Sequence, residues 1–278
     1  MEERLQNILA KAGVASRRGA AELIESGHVI VNSKLCREPG ARFDPETARI
    51  LVNGRRISAP EQKRTIMLYK PVGVLSTMSD PFGGETVADL MRGQITERLV
   101  PVGRLDKDSE GLLLMSNDGD LTLRLTHPRF EHVKTYIVRV AGKWTEQKLE
   151  ILRGPVEMPD GYVTRPVPVR VLRERENNVT TLEFKLREGR KRQIRYMCSA
   201  AHLVVVSLKR IAIGDLALPR DMQPGQWRDL SQDEIARLFS GDAPRTGETT
   251  ELEASPKSSP RSKGRWSDGG RPSTCRRW

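Results

Sequence analysis

Leu99-Val-Pro-Val-Gly-Arg-Leu-Asp-Lys-Asp-Ser-Glu-Gly-Leu-Leu-Leu-Met115 carries two apolar runs around a charged centre. The flanking runs read as strands, the second apolar enough to be buried on both faces. Between them, Gly103 to Gly111 forms a loop crowded with ionisable groups and bounded by glycines, which let backbone or substrate approach closely. Charged loops held between rigid strands are where catalysis tends to sit. On the residues alone, the same loop also suits a plain turn in which Asp106, Asp108 or Ser109 caps local backbone.

Working outward, Ile66-Met-Leu-Tyr and Leu203-Val-Val-Val read as further buried strands. Tyr136, Val138 and Val140 alternate with Ile137 and Arg139, and Leu182, Phe184 and Leu186 alternate with Glu183, Lys185 and Arg187. That is the one-face-in, one-face-out pattern of a sheet with one wet side. Short helices are expected from Leu121 to Thr126, after Thr145 through Arg153, and around Lys191 to Ala201. Strands dominate without regular strand–helix–strand alternation, so the fold class is α+β with a mainly antiparallel mixed sheet.

The N-terminal stretch follows another rhythm. Leu5, Ile8, Leu9 and Ala12 share one helical face before Gly13. Ser16 then stands as the N-cap of a second helix with Ala20, Leu23 and Ile24 on its apolar side, ended by Gly27. His28-Val-Ile-Val-Asn reads as a strand, and Asn53-Gly54 as a two-residue hairpin turn. Arg17 and Arg18 occupy the first turn of the second helix, where the helix dipole disfavours cations unless an anion sits there. At the other end, apolar rhythm stops at Gly241, and a Ser-, Pro- and Gly-rich basic stretch follows that cannot bury enough surface to order itself. The expected organisation is a small domain over 1–62, a larger one over 63–240, and a disordered basic tail over 241–278.

The formal net charge of +11 favours a polyanionic partner without distinguishing RNA, DNA or an acidic membrane. No apolar run approaches the ~20 residues of a membrane span, and the acidic N-terminus lacks a signal-peptide core. Three scattered cysteines argue for a reducing compartment, and four histidines form no metal-ligand pattern. A cytoplasmic monomer without metal is the expectation. No phosphate-cradling glycine-lysine loop or dinucleotide fingerprint occurs, so no cofactor is expected.

Two resemblances sharpen this reading. Arg4-Leu-Gln-Asn-Ile-Leu-Ala-Lys-Ala-Gly-Val-Ala-Ser-Arg-Arg18 and Glu25-Ser-Gly-His-Val-Ile-Val-Asn-Ser-Lys34 resemble the S4 RNA-binding domain, and the similarity fades after Lys34. It implies an αα–β RNA-docking module. Gly103-Arg-Leu-Asp-Lys-Asp-Ser-Glu-Gly-Leu-Leu-Leu-Met-Ser-Asn-Asp-Gly-Asp-Leu121 resembles the signature of the pseudouridine synthases typified by the RsuA family. Lys70-Pro-Val-Gly73, Lys134-Thr-Tyr136 and Glu188-Gly-Arg-Lys-Arg-Gln-Ile-Arg195 match it in order and spacing.

That family isomerises uridine within RNA: the bond from N1 to the sugar breaks, the base turns over, and C5 takes its place. The resemblance implies Asp106 as the catalytic carboxylate, Arg195 as its ion-pair partner, and Tyr136 as the aromatic against the target base. It implies Arg104 as the residue that fills the stack when the target nucleotide is extruded. Arg187, Arg190, Lys191 and Arg192, at or before the start of their helix, are expected to contact backbone phosphates, as are Arg17 and Arg18. Lys70-Pro-Val-Gly73 is expected only to shape the cleft wall. Ribosomal RNA is the expected partner; Gly225-Gln-Trp-Arg-Asp-Leu230 and the tail look more like large-subunit members. The rival expectations are an S4-type protein that binds ribosomal RNA without catalysis, and a methyltransferase, for which the usual glycine-rich cofactor turn is missing.

Overall fold

A computed structural model of the chain describes residues 1–57, 62–176 and 178–239. The tail expected over 241–278 lies outside them. In the N-terminal part, β1 (Glu3–Arg4) leads into α1 (Leu5–Lys11) and α2 (Arg17–Glu25), followed by β2 (Val29–Val31), β3 (Lys34–Cys36), β4 (Arg42–Phe43), β5 (Ile50–Val52) and β6 (Arg55–Arg56). Leu5, Ile8 and Leu9 pack with Ala20 and Ile24 against Val29, Val31, Ile50 and Val52, giving this part its own core. Ser16 caps α2 as expected, its Oγ accepting from Gly19 N at 3.0 Å. The antiparallel sheet runs in the order β3-β2-β5-β6. Asn53-Gly54 makes the β5–β6 turn with both residues at positive φ. The β2–β3 turn uses Asn32-Ser33 in the same left-handed geometry, which Ser rarely adopts and the sequence did not advertise.

The remainder builds β7 (Thr65–Lys70), β8 (Val100–Val102), β9 (Glu110–Ser116), α3 (Gly119–Thr126), β10 (Lys134–Ala141), α4 (Glu146–Arg153), β11 (Val169–Glu176), β12 (Val179–Leu186), α5 (Gln193–Ala200), β13 (Val204–Ile213), β14 (Leu216–Ala217), β15 (Trp227–Asp229) and α6 (Gln232–Arg237). The main sheet runs β11-β12-β10-β13-β9-β7-β15, with β8 on β9 and β14 on β13. Its pairings are antiparallel except where β9 meets β13, with Glu110 opposite Lys209 and Gly111 opposite Arg210. A Cβ on Gly111 would lie 2.2 Å from the Arg210 carbonyl oxygen, and Gly111 sits at φ +108°, so this junction admits only glycine. Among the described residues no helix is long and apolar enough to cross a membrane.

Val138, Leu182, Phe184 and Leu186 face Leu149 and Leu152 of α4 and Ile194, Met197 and Cys198 of α5. The opposite face of these strands carries Arg139 and Lys185 in solvent. Leu203-Val-Val-Val departs from its expected burial: Leu203 is inside, but Val204 and Val206 are 70% and 53% exposed. The register of β13 against β10 slips between Arg139 and Val140, and α4 and α5 cover only the other face. Helix starts also differ from expectation. Asp118 caps α3 by accepting from Asp120 N and Leu121 N, so the helix begins before Leu121. α5 begins at Gln193, leaving Arg190 and Lys191 in the turn ahead of it.

Candidate active site

The loop between β8 and β9 is held at both ends. Before Asp106, Leu105 N donates to Ser76 Oγ at 3.1 Å, and that hydroxyl donates back to the Leu105 carbonyl at 2.8 Å. After it, Ser109 N closes a turn onto the Asp106 carbonyl at 3.0 Å. Lys70, at the end of β7, supports the loop from below. Its side chain is fully buried, with Nζ donating to Ser109 O at 2.7 Å and Pro71 O at 2.8 Å. Burial pushes the ammonium down to about 8, against the opposing pull of Asp108, Asp106 and Glu110. Gly73 N adds a bond to the Lys107 carbonyl at 2.7 Å. Lys70-Pro-Val-Gly73, expected to be only a wall, is therefore the loop's clamp.

The loop borders a cleft of about 310 Å³. Asp106, half-buried, shares it with Tyr136 of β10, Arg195 of α5, Arg104, Arg190, Lys191 and Arg192. Tyr136 stands in register between Phe184 and Arg210, on the face covered by α5. Arg187 lines a larger adjoining cavity of about 580 Å³, which shares Arg104, Tyr136 and Arg190 with the first. Arg17 and Arg18 lie outside both cavities. Arg17 Nη2 would be 3.5 Å from a Cβ on Gly119, so this arginine rests against the start of α3.

The ion pair expected between Arg195 and Asp106 is not the one formed. Arg195 Nη2 donates to the Asp108 carbonyl at 2.8 Å and lies 3.2 Å from Asp108 Oδ1 and 3.4 Å from Ser109 Oγ. Arg192 Nη2 meets the other oxygen, Asp108 Oδ2, at 3.1 Å. Among the described residues no cation lies within ion-pair distance of Asp106, while Arg195 Nε is buried without an acceptor. The physical reason is loop geometry: the turn after Asp106 presents a carboxylate, a carbonyl and a hydroxyl together, and one guanidinium nitrogen takes all three. Hydrogen bonding to Asp108 holds the Arg192 guanidinium above its already high ordinary value, so its charge is fixed.

A second cluster has no counterpart among the sequence expectations. Arg190 stacks 3.5 Å above the Tyr162 ring. The Tyr162 hydroxyl donates to Glu188 Oε2 at 2.7 Å, and Gln193 Nε2 donates to Glu188 Oε1 at 2.5 Å. This ties the segment before α5 to a loop some thirty residues earlier. Glu188 and Gln193 belong to the quoted motif, but Tyr162 carries no local signal and is found only by tertiary contact.

Residues 64–200 match the RNA pseudouridylate synthase family and residues 3–48 the S4 domain. An uncharacterized RNA pseudouridine synthase of Aquifex aeolicus is 40% identical over 240 residues, covering 86% of this chain and 94% of that one. Ribosomal large subunit pseudouridine synthase B of Bacillus subtilis is 38% identical over 237 residues, covering 85% and 95%. A crystal structure of a pseudouridylate synthase superposes with a TM-score of 0.61 at 27% identity, covering 84% of this chain and 99% of that one.

Proposed function

We propose, because this chain belongs to the RNA pseudouridine synthase family and is itself an RNA pseudouridine synthase, that it isomerises uridine in ribosomal RNA of the large subunit, with Asp106 as the catalytic carboxylate. The observation that supports the assignment of roles is the cleft itself, which Asp106, Tyr136 and Arg195 line together with Arg104, Arg190, Lys191 and Arg192. Isomerisation needs no redox partner and no energy source, so one ionised carboxylate in a fixed setting suffices.

The target uridine leaves its helix and enters the cleft. Extrusion costs a few kcal/mol, offset by a side chain that replaces the base in its stack; Arg104, exposed at the cleft mouth, has the reach and the planar head for this. Arg187, Arg190, Lys191 and Arg192 meet the neighbouring phosphates, and their contacts make affinity fall with salt. Tyr136 lies against the base and limits its rotation. Residues 1–62 dock the RNA as a separate module, with Arg17 and Arg18 at the start of α2, while 63–240 perform the chemistry. The chain works as a monomer in the cytoplasm.

The test is nucleotide-resolution mapping of pseudouridine in ribosomal RNA from cells with and without the protein, paired with Asp106→Asn in vitro. We expect a large-subunit position to lose its modification in the deletion strain, and the variant to bind RNA within about threefold of wild type, since no phosphate contact is removed, yet show no turnover. Appreciable turnover by Asp106→Asn would falsify the catalytic assignment. A loss confined to small-subunit or transfer RNA would redirect the substrate.

A further inference from the structure

We propose that Asp108 is a positioning residue for the reaction: it grips Arg195 and Arg192 so that the Arg195 guanidinium is presented, with its Nε–H unspent, to Asp106. This rests on the reading of Asp106 given above. Three acceptors on one turn, the Asp108 carboxylate, the Asp108 carbonyl and the Ser109 hydroxyl, converge on Arg195 Nη2 at 2.8–3.4 Å. The same carboxylate takes Arg192 at 3.1 and 3.3 Å. Arg192, the left-handed N-cap of α5, and Arg195, in the first turn of that helix, both reach the Asp108 carboxylate. One anion between two guanidiniums removes the repulsion that would otherwise drive them apart.

What remains is a buried guanidinium N–H with no acceptor among the described residues. Buried donors of that kind are rare and call for a reason. Asp106 lies two residues before Asp108 on the same clamped turn, and its side chain lines the cleft that Arg195 also lines. Few rotatable bonds separate the grip on Arg195 from the reacting carboxylate. A nucleotide filling the cleft excludes water and leaves Asp106 as the acceptor at hand. The side chain of Asp108 is 45% exposed, so its ion pairs add little to folding stability. Its contribution is orientation.

The experiment measures single-turnover rate, RNA affinity and thermal midpoint on a large-subunit RNA fragment for wild type, Asp108→Ala, Asp108→Asn, Arg195→Ala and the Asp108→Ala/Arg195→Ala pair. Misplacing a catalytic group costs about 10- to 100-fold, and that is the rate loss expected for Asp108→Ala, with affinity and midpoint near wild type. Asp108→Asn keeps an acceptor and should recover part of the rate. In the Arg195→Ala background, adding Asp108→Ala should cost at most about twofold, because the two act as a unit. A wild-type rate for Asp108→Ala overturns the proposal, as do losses that multiply fully in the pair. If Asp108→Ala unfolds, Asp108→Asn and its own pair with Arg195→Ala carry the same comparison. A catalytically competent Asp106→Asn sinks the reading beneath it instead; an inert Asp106→Asn beside an unimpaired Asp108→Ala sinks this one alone.

Discussion

Two helices in this protein begin among cations, and they are built in opposite ways. α2 opens on Arg17 and Arg18, but Ser16 caps it from within and the backbone at the cap is ordinary extended chain. α5 opens behind Arg190, Lys191 and Arg192, has no side-chain cap, and its N-cap Arg192 sits in the left-handed region at φ 56°. Neither first turn holds an acid that would answer the helix dipole. The first start is satisfied by its own sequence. The second leans on groups from elsewhere in the chain, Asp108 on two arginines and the Tyr162 ring beneath Arg190, beside a local bond from Gln193 to Glu188. A locally self-sufficient helix end tolerates substitution, whereas one assembled by tertiary contacts marks a place where geometry serves something other than stability.

The largest expected effect that tests this contrast is on RNA binding. Every phosphate that the protein no longer neutralises flattens the salt dependence of affinity by about 0.7–0.9 in logarithmic slope. Lys191→Ala should remove nearly one such step, and adding Arg190→Ala less than a second, because Arg190 already lies over Tyr162 and beside Asp160. Arg17→Ala with Arg18→Ala should remove less, because Arg17 rests against α3. Equal slopes from the two pairs, in salt titrations of a labelled RNA fragment, would erase the distinction.

A second effect concerns the loop that grips α5. Lys70 has its proton affinity lowered by burial from 10.5 to about 8, so above that pH the folded protein sheds a proton that the unfolded chain keeps up to 10.5. Since the unfolded state then binds more protons, this group's contribution to stability rises with pH through that window, while the charge beneath the Asp106–Asp108 turn is lost. Single-turnover rate should therefore decline above pH 8 without a matching decline in thermal midpoint from this source, and Lys70→Met should abolish that limb. A midpoint that drops in step with the rate would point to global unfolding instead.

Smaller effects separate the caps themselves. Ser16→Ala should cost the N-terminal part about 1 kcal/mol in denaturant unfolding. Arg192→Gly relieves a left-handed non-glycine residue and should be neutral or stabilising by at most about 1 kcal/mol, while weakening RNA binding. A destabilising Arg192→Gly would mean that the side chain's grip on Asp108 outweighs the strain it imposes.

Much of this was legible in the chain. The alternation through Tyr136–Val140 and Leu182–Leu186, the Ser16 cap and the Asn53-Gly54 turn are local signals with local causes, and they appear where expected. What escaped depended on groups far apart in sequence. The exposure of Val204 and Val206 follows from which face α4 and α5 cover. The support from Lys70 needs the end of one strand beneath a loop from another. The motif supplied both Asp106 and Asp108, but only three-dimensional placement gave Arg195 to the second. Tyr162 belongs to no pattern at all; it matters because a ring is needed under Arg190.

Glycine at 111 has a consequence for the molecule as a whole. β9 and β13 touch over two residue pairs, with the Arg210 carbonyl in the volume that any side chain would need. On one side of that seam stand the strands that supply Tyr136 and brace α5; on the other stand those that carry Asp106 and Lys70. The residues that line the cleft are thus contributed by two half-sheets stitched at their narrowest point. Anything that pries the stitch open by an ångström separates the carboxylate from its aromatic wall before either half loses its own packing.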